Sequence, residues 1–504
     1  MNTLETRSAI RFWLDDELLT VRDVSPTTTV LNFLREHLDR KGTKEGCAEG
    51  DCGACTVVIA DWHHQRVRYR PVNACIQFLP LLDGKQLYTV ESLAAKADKL
   101  HPIQQAMVDC HASQCGFCTP GFVMSLFALY KNHTSTHREQ LTQVLSGNLC
   151  RCTGYRPILE AGEQMYTYAQ QLPADELNVM TAPCGHESAT LILQERLQPL
   201  QADTRPLALT YGEEKFFAPT TLDDFATLYN RYPDARILAG GTDMGLWVTK
   251  QHRDLPVIIY LGNIAELDLI QVQDGWLDIG AAVLLEDAYQ KLVEYYPALQ
   301  GLHERFASLP IRSAGTLVGN IANGSPIGDS MPILLALGAT VKLFNGKITR
   351  EIPLNKFYLG CQRKDLQVGE FVQSVRIPLP VANRQIHTYK ISKRFGQDIS
   401  AVCGAFCVEL NANKVTHIRI AFGGMAAIPQ RAQNTEQALL GKPWDQANIE
   451  QAMSVLAQDY QPLSDVRASS GYRLSVARNL LLKFYLQTSA PSIATDVLNW
   501  EAVI

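Results

Sequence analysis

A chain of 504 residues is too long for one hydrophobic core, and by length it predicts about three or four domains. Its net charge of −5 argues against a nucleic-acid surface or a polybasic membrane contact. Its 46% apolar content is ordinary for a globular protein, and no apolar run reaches the length of a membrane span. Residues 1–10 carry Glu5 and Arg7 and no apolar signal core. Eight of the thirteen cysteines fall into two ligand-spaced groups, which fits metal ligation in a reducing compartment, so a cytoplasmic location is expected.

Residues 9–14 read as a strand, and 18–24 as its hairpin partner across Asp15-Asp16-Glu17. Thr29 caps a helix over 29–38 with Val30, Leu31, Leu34 and Leu38 as its apolar stripe. Then comes Cys47-Ala48-Glu49-Gly50-Asp51-Cys52-Gly53-Ala54-Cys55, spaced C-x4-C-x2-C, as in a plant-type two-iron, two-sulfur cluster. Thiolates at these intervals converge only on a tight loop. Gly46, Gly50 and Gly53 allow that loop and let amide N–H groups face the sulfurs. Zinc is the alternative, but it favours paired C-x2-C units set apart by a spacer. A strong strand follows at 56–60, and 72–78, carrying Cys75, leads to 87–90 in a small mixed β fold. Cys75 reads either as an ordinary buried thiol or as the fourth ligand. It is the only cysteine between Cys55 and Cys110, and ligation is the expectation.

Helices are then expected at 102–110, 120–130, 137–145 and 158–171. Thr119 is the expected cap of the second, with Pro120 in its first turn, and Gly147 stops the third. Cys115 and Cys118 precede the second helix, and Cys150 and Cys152 precede the fourth. Helix N-termini favour thiolates and an anionic cluster; a zinc site or two buried disulfides are the competing readings.

Residues 172–210 read as a linker with a short helix at 189–197, and Cys184 within it is expected to bind nothing. Thr221 caps a helix over 222–232. A strand at 236–239 leads into Gly240-Gly241-Thr242-Asp243-Met244-Gly245, a turn whose N–H groups suit a phosphate. No G-x-G-x-x-G fingerprint occurs, so a Rossmann fold is not supported. A second glycine-rich stretch spans 315–332. Two such loops can wrap a pyrophosphate and a ribityl chain, or can be plain turn clusters. Strands at 387–392, 401–410 and 415–423 and helices at 435–440, 449–457 and 471–486 complete the chain.

The cluster loop, followed by a helical unit carrying C-G-x-C-T-P-G and G-N-x-C-R-C-T-G-Y-R-P, resembles the iron–sulfur module of the molybdenum hydroxylases, the xanthine dehydrogenase and aldehyde oxidase family, over residues 1–170. A-G-G-T-D paired with G-N-I-x-x-x-S-P-x-x-D resembles the family's flavin domain. The resemblance implies an α+β multidomain chain. Its parts are a plant-type ferredoxin β-grasp domain (1–90), a four-helix iron–sulfur domain (91–171), the linker (172–210), an α/β FAD-binding domain of the vanillyl-alcohol-oxidase-like type (211–385) and a small α+β C-terminal domain (386–504).

It also implies that Cys47, Cys52, Cys55 and Cys75 hold one 2Fe-2S cluster. Cys115, Cys118, Cys150 and Cys152 would hold a second, nearer the molybdenum, with Gln114 on the pterin. Leu238, Ala239, Gly240, Gly241, Thr242, Asp243, Met244, Gly245, Thr316, Gly319, Asn320 and Asp329 would contact FAD, joined by Phe306, Val372 and Lys390. No catalytic residue is assigned, because the large molybdopterin domain has no counterpart here. The implied role is the iron–sulfur and flavin subunit of an NAD-dependent xanthine dehydrogenase. It would act with a molybdopterin-binding partner, as a heterodimer or heterotetramer, in oxidising hypoxanthine and xanthine to urate. Phe395 and Gly396 depart from the family's flavin-side loop, and Cys361 stands where an aromatic residue commonly borders the nicotinamide. The alternatives are an electron-transfer subunit for an aldehyde, an aromatic heterocycle or carbon monoxide, a non-catalytic ferredoxin-like carrier, or a zinc-bound adaptor.

Overall fold

The structure is a computed structural model that describes residues 5–93, 99–489 and Thr495. It divides into two units. One holds the chain up to Ala265 with Leu284–Glu286 and Ala307–Gly315; the other holds Glu266–Val283, Asp287–Phe306 and the chain from Thr316 onward.

The first unit begins with a five-stranded sheet in the order Glu17–Val21, Ile10–Leu14, Gln86–Tyr88, Thr56–His63, Arg66–Asn73. Ile10–Leu14 pairs antiparallel with its hairpin neighbour and parallel with Gln86–Tyr88, the mixed pattern of a β-grasp. Alternation explains the strand: Ile10, Phe12 and Leu14 point into a core shared with Leu31, Leu34 and Phe78. Thr29 caps the helix as expected, accepting the Asn32 N–H at 3.1 Å, but after Val30–Asn32 the chain widens into a π turn over Phe33–His37. The strand Arg66–Asn73 was not foreseen. Its run of Arg66, Arg68 and Arg70 hides the β pattern, and the buried Asp61 across the hairpin accounts for two of these, pairing with Arg68 at 3.1 Å and Arg70 at 2.8 Å.

The helices Pro102–Asp109, Thr119–Asn132, Arg138–Val144 and Arg156–Gln170 follow. Phe122–Lys131 is buried on every side because the helix also packs on Thr56–His63. Residues 172–210 are docked rather than loose. The helix Glu187–Gln201 is longer than expected and buries Ala189, Leu193 and Leu197, the last two in the helical core, with Pro199 in its final turn. Trp13 stacks beneath the Arg196 guanidinium at 4.9 Å. A four-stranded sheet, Leu207–Tyr211, Glu214–Ala218, Val257–Tyr260, Arg236–Leu238, completes the unit.

The second unit has an antiparallel sheet ordered Ile270–Gln273, Trp276–Gly280, Phe371–Pro378, Thr340–Phe344, Thr349–Pro353. Its C-terminal sheet contains Arg384–Ile391, Val402–Asn411, Lys414–Gly423 and a short fourth strand, Gln430–Arg431. The helices Gln433–Leu439, Gln446–Asp459 and Ser470–Ser489 back it, around Phe406, Phe422, Trp444, Tyr460 and Phe484. Among the described residues no helix is long and apolar enough to cross a membrane.

Candidate functional site

The loop 46–55 curls because three of its residues take left-handed backbone: Ala48 (φ 54°), Gly50 (78°) and Gly53 (69°). The curl aims three amides at one sulfur. Glu49, Asp51 and Cys52 donate to Cys47 Sγ at 3.4, 3.3 and 3.4 Å. Cys47 Sγ also lies within hydrogen-bond reach of the Cys52 and Cys75 sulfurs, and Cys55 of Cys75, so all four are drawn together. Those neighbouring sulfurs and the amide donors hold the Cys47 thiol well below its usual range. Asn73 Nδ2 approaches Cys55 Sγ at 3.9 Å. At Gly46 a Cβ would stand 2.7 Å from Cys52 Sγ, so a larger residue there would push that sulfur out of place. This crowded, amide-lined set of sulfurs suits an iron–sulfur cluster.

The second quartet assembles as two pairs: Cys118 with Cys150, and Cys115 with Cys152. Cys118, rather than Thr119, is the N-cap residue of its helix; the Thr119 hydroxyl instead lies 2.7 Å from that of Ser113. The Cys150–Cys152 pair does not sit at a helix start. Gly154 and Tyr155, both left-handed at φ 69° and 68°, intervene before Arg156–Gln170. Local donors substitute for the helix end. Burial opposes charge on Cys150, but the Thr153 hydroxyl at 3.2 Å and its N–H at 3.5 Å hold the thiol below the ordinary range. Burial pushes the Cys118 thiol up to about 12. Cys115, Cys152 and the neighbouring Gln114, Phe117 and Tyr155 are exposed, whereas Cys55 and Cys75 are buried.

The same unit carries the first glycine-rich turn. Leu238 ends its strand, Ala239 and Gly240 follow, and Gly241 (φ 83°) opens the helix Thr242–Thr249. A Cβ on Gly240 would fall 2.1 Å from the Ala314 carbonyl oxygen, so only glycine fits. This helix is seated on the first cysteine loop: Gly245 lies against Ile76, where a Cβ would stand 2.6 Å from the backbone oxygen. The Thr249 hydroxyl donates to the Ala48 carbonyl at 2.8 Å, and Lys250 lies 3.8 Å from Glu49. Thr242, Asp243 and Met244 form the first turn of this helix.

In the second unit Thr316 caps Leu317–Asn323, its hydroxyl accepting the Gly319 N–H at 3.0 Å. The buried Asn320 Oδ1 has no hydrogen-bond partner, a vacancy suited to a polar ligand. Asp329 and Lys390 pair at 2.5 Å, both almost wholly buried, and Ser400 bridges them, with Lys390 Nζ at 2.8 Å and its hydroxyl on Asp329 at 2.6 Å. Val372 is buried in the antiparallel sheet opposite Leu343, and Phe306 packs on Tyr289 at 5.3 Å. Thr249 and Ile76 have nothing in their local pattern that marks them, while Ala48 and Asn148 lie inside the quoted cysteine motifs, which do not reveal their contacts.

A family model described as 2Fe-2S iron-sulfur cluster binding domain matches residues 14–77, and one described as [2Fe-2S] binding domain matches 89–163. The FAD binding domain in molybdopterin dehydrogenase matches 211–380, and the CO dehydrogenase flavoprotein C-terminal domain matches 387–488. Xanthine dehydrogenase of Emericella nidulans is 32% identical over 96% of this chain and 39% of its own length. Aldehyde oxidase 1 of Bos taurus is 30% identical over 99% of this chain and 41% of its own. The chain belongs to the xanthine dehydrogenase and aldehyde oxidase family. It carries that family's iron–sulfur and FAD-binding domains, and it spans about two fifths of the length of these relatives. Among solved structures, a carbon monoxide dehydrogenase from Hydrogenophaga pseudoflava is 25% identical, with a TM-score of 0.51, over 53% of this chain and 94% of that one. The mixed α+β multidomain fold expected from sequence is therefore the family's fold.

Proposed function

We propose that this chain is the iron–sulfur and flavin subunit of a cytoplasmic xanthine dehydrogenase. Cys47, Cys52, Cys55 and Cys75 would hold one two-iron cluster, and Cys115, Cys118, Cys150 and Cys152 the other. The turn from Leu238 to Gly245, with Thr316, Gly319, Asn320 and Asp329, would hold FAD; Phe306, Val372 and Lys390 are assigned less directly. Bound there, the clusters supply one-electron transfer and the flavin supplies hydride exchange with NAD. The protein's own part is to hold the sites in order. The exposed Cys115, Cys152 and Gln114 suit the side facing a molybdopterin-binding partner, and the buried Cys55 and Cys75 suit the interior of the path. The domain division at residues 90, 171, 210 and 385 belongs to the same reading.

The observation that carries it is the seating of the Thr242–Thr249 helix against the first quartet, with Gly245 on Ile76 next to Cys75 and Thr249 on Ala48 next to Cys47. A phosphate-type turn and a cluster loop sharing one rigid contact is the arrangement that electron transfer between them needs. The test is purification with native partners. A molybdenum-containing subunit should co-purify, NADH should reduce dyes through this chain, and the complex should oxidise hypoxanthine in preference to aldehydes. A chain that works alone, or a complex indifferent to hypoxanthine, contradicts the proposal.

A second reading has its own support. The aldehyde oxidase and carbon monoxide dehydrogenase likenesses fit an electron-transfer subunit of another molybdenum hydroxylase. The departure at Cys361 lies where a nicotinamide site would be formed, and those at Phe395 and Gly396 lie in the loop beside the flavin. Turnover of an aldehyde or carbon monoxide without hypoxanthine activity would favour it.

A further inference from the structure

The two cysteine loops of the first unit meet at Gly53, and backbone lies directly on backbone there. A Cβ on Gly53 would fall 2.3 Å from the Gly147 carbonyl oxygen, and one on Gly121 would fall 2.1 Å from the Gly53 carbonyl oxygen. Either substitution forces the loops apart. Beside this contact the Leu149 N–H donates to the Cys52 carbonyl at 3.0 Å, which links the residue before Cys150 to a member of the other quartet.

One side chain clamps the junction. Asn148 is 2% exposed. Its Nδ2 donates to the Gly53 carbonyl at 3.1 Å and to Thr56 Oγ1 at 3.4 Å, and its Oδ1 accepts the Ser125 hydroxyl at 2.7 Å. The Asn148–Gly53 bond therefore runs alongside the Leu149–Cys52 bond, one residue on from Cys52 and one residue back from Leu149. A buried carboxamide this fully partnered has one low-energy orientation and resists sliding. Removing it does not strand the Gly53 carbonyl, which keeps the Thr56 hydroxyl at 2.7 Å. The fold is thus expected to survive its loss.

We propose that Asn148 is a positioning residue for electron exchange between the two quartets: it fixes Cys52 against Leu149 and with it the spacing of the two centres. This rests on both quartets holding iron–sulfur clusters. The exchange moves one electron, oxidising one centre as the other is reduced, and makes or breaks no bond.

The test uses the full chain as purified and compares wild type with Asn148→Ala and Ser125→Ala. Iron analysis and electron paramagnetic resonance at partial reduction report each cluster separately. The magnetic interaction between the fully reduced clusters reports their spacing, and rapid-freeze reduction reports the exchange rate. Asn148→Ala should keep both clusters and their individual spectra, weaken the interaction, and slow exchange about ten- to a hundredfold, as changes to groups supporting metal ligands do. Ser125→Ala should shift both readouts the same way by less. Unchanged interaction and rate in Asn148→Ala overturns the proposal. If Asn148→Ala loses iron, unchanged values in Ser125→Ala overturn it. A wild-type chain without iron in both quartets fails at the earlier step, because the reading of the quartets is then wrong.

Discussion

The hydroxyl of Thr249 donates to the carbonyl oxygen of Ala48 at 2.8 Å. Ala48 is the residue after Cys47 and takes a left-handed φ of 54°, so the loop's least relaxed residue is held by the last turn of the helix that opens at Gly241. Thr249→Val keeps the shape and loses the bond, at a cost of about 1 kcal/mol. The expected result is faster loss of iron from the first quartet to a chelator, by about fivefold. The second quartet should lose iron at its usual rate, and Thr249→Ser should behave as wild type. Chelation followed by optical absorbance checks this.

Acid should loosen the helix Pro102–Asp109 before the rest of the first unit. His101 is 1% exposed; its Nδ1 accepts the Ile103 N–H at 3.2 Å as a helix cap, and its Nε2 meets the Met180 carbonyl at 3.1 Å. Only the neutral ring with its proton on Nε2 makes both bonds. Burial takes its pKa down to about 3. The unfolded chain therefore binds the proton at a higher pH than the folded one, and the stabilisation present above about pH 6.5 is lost as pH falls toward the folded value. At pH 5 the loss is about 2 kcal/mol. Hydrogen exchange of the 103–109 amides should speed up between pH 6.5 and 5 beyond the intrinsic pH effect. His101→Asn, which can still cap, should flatten that dependence.

Breaking the Asp329–Lys390 pair should destabilise the second unit strongly. Lys390→Ala leaves the Asp329 carboxylate buried with only the Ser400 hydroxyl, at a cost of about 3–5 kcal/mol. Lys390→Met combined with Asp329→Asn should recover most of it, because neither charge is then stranded. Thermal unfolding of the three proteins checks this. A single variant as stable as wild type would show the pair to be dispensable.

What could be read from sequence was what is local. The caps at Thr29 and Thr221 and the turn at Gly240-Gly241 each depend on residues a few positions apart, and the structure forms them where expected. What escaped depends on distant partners. The Arg66–Asn73 strand reads as charged until Asp61 lies across from it. The Glu187–Gln201 helix contains Pro199 and shows weak periodicity alone, and its burial comes from packing on the helical core. Thr249–Ala48 and Asn148–Gly53 join residues 201 and 95 positions apart, so no window of sequence reveals them. Cys150 took its stabilising donors from Thr153 rather than from a helix end because left-handed Gly154 and Tyr155 separate it from that end.

Metal analysis of the purified chain, joined to electron paramagnetic resonance of its dithionite-reduced form, tests the central claim most directly. Two iron–sulfur signals of distinct line shape are expected, with about four iron atoms per chain, two for each quartet. Zinc in either quartet, or oxidised sulfur pairs with no iron, would contradict the account.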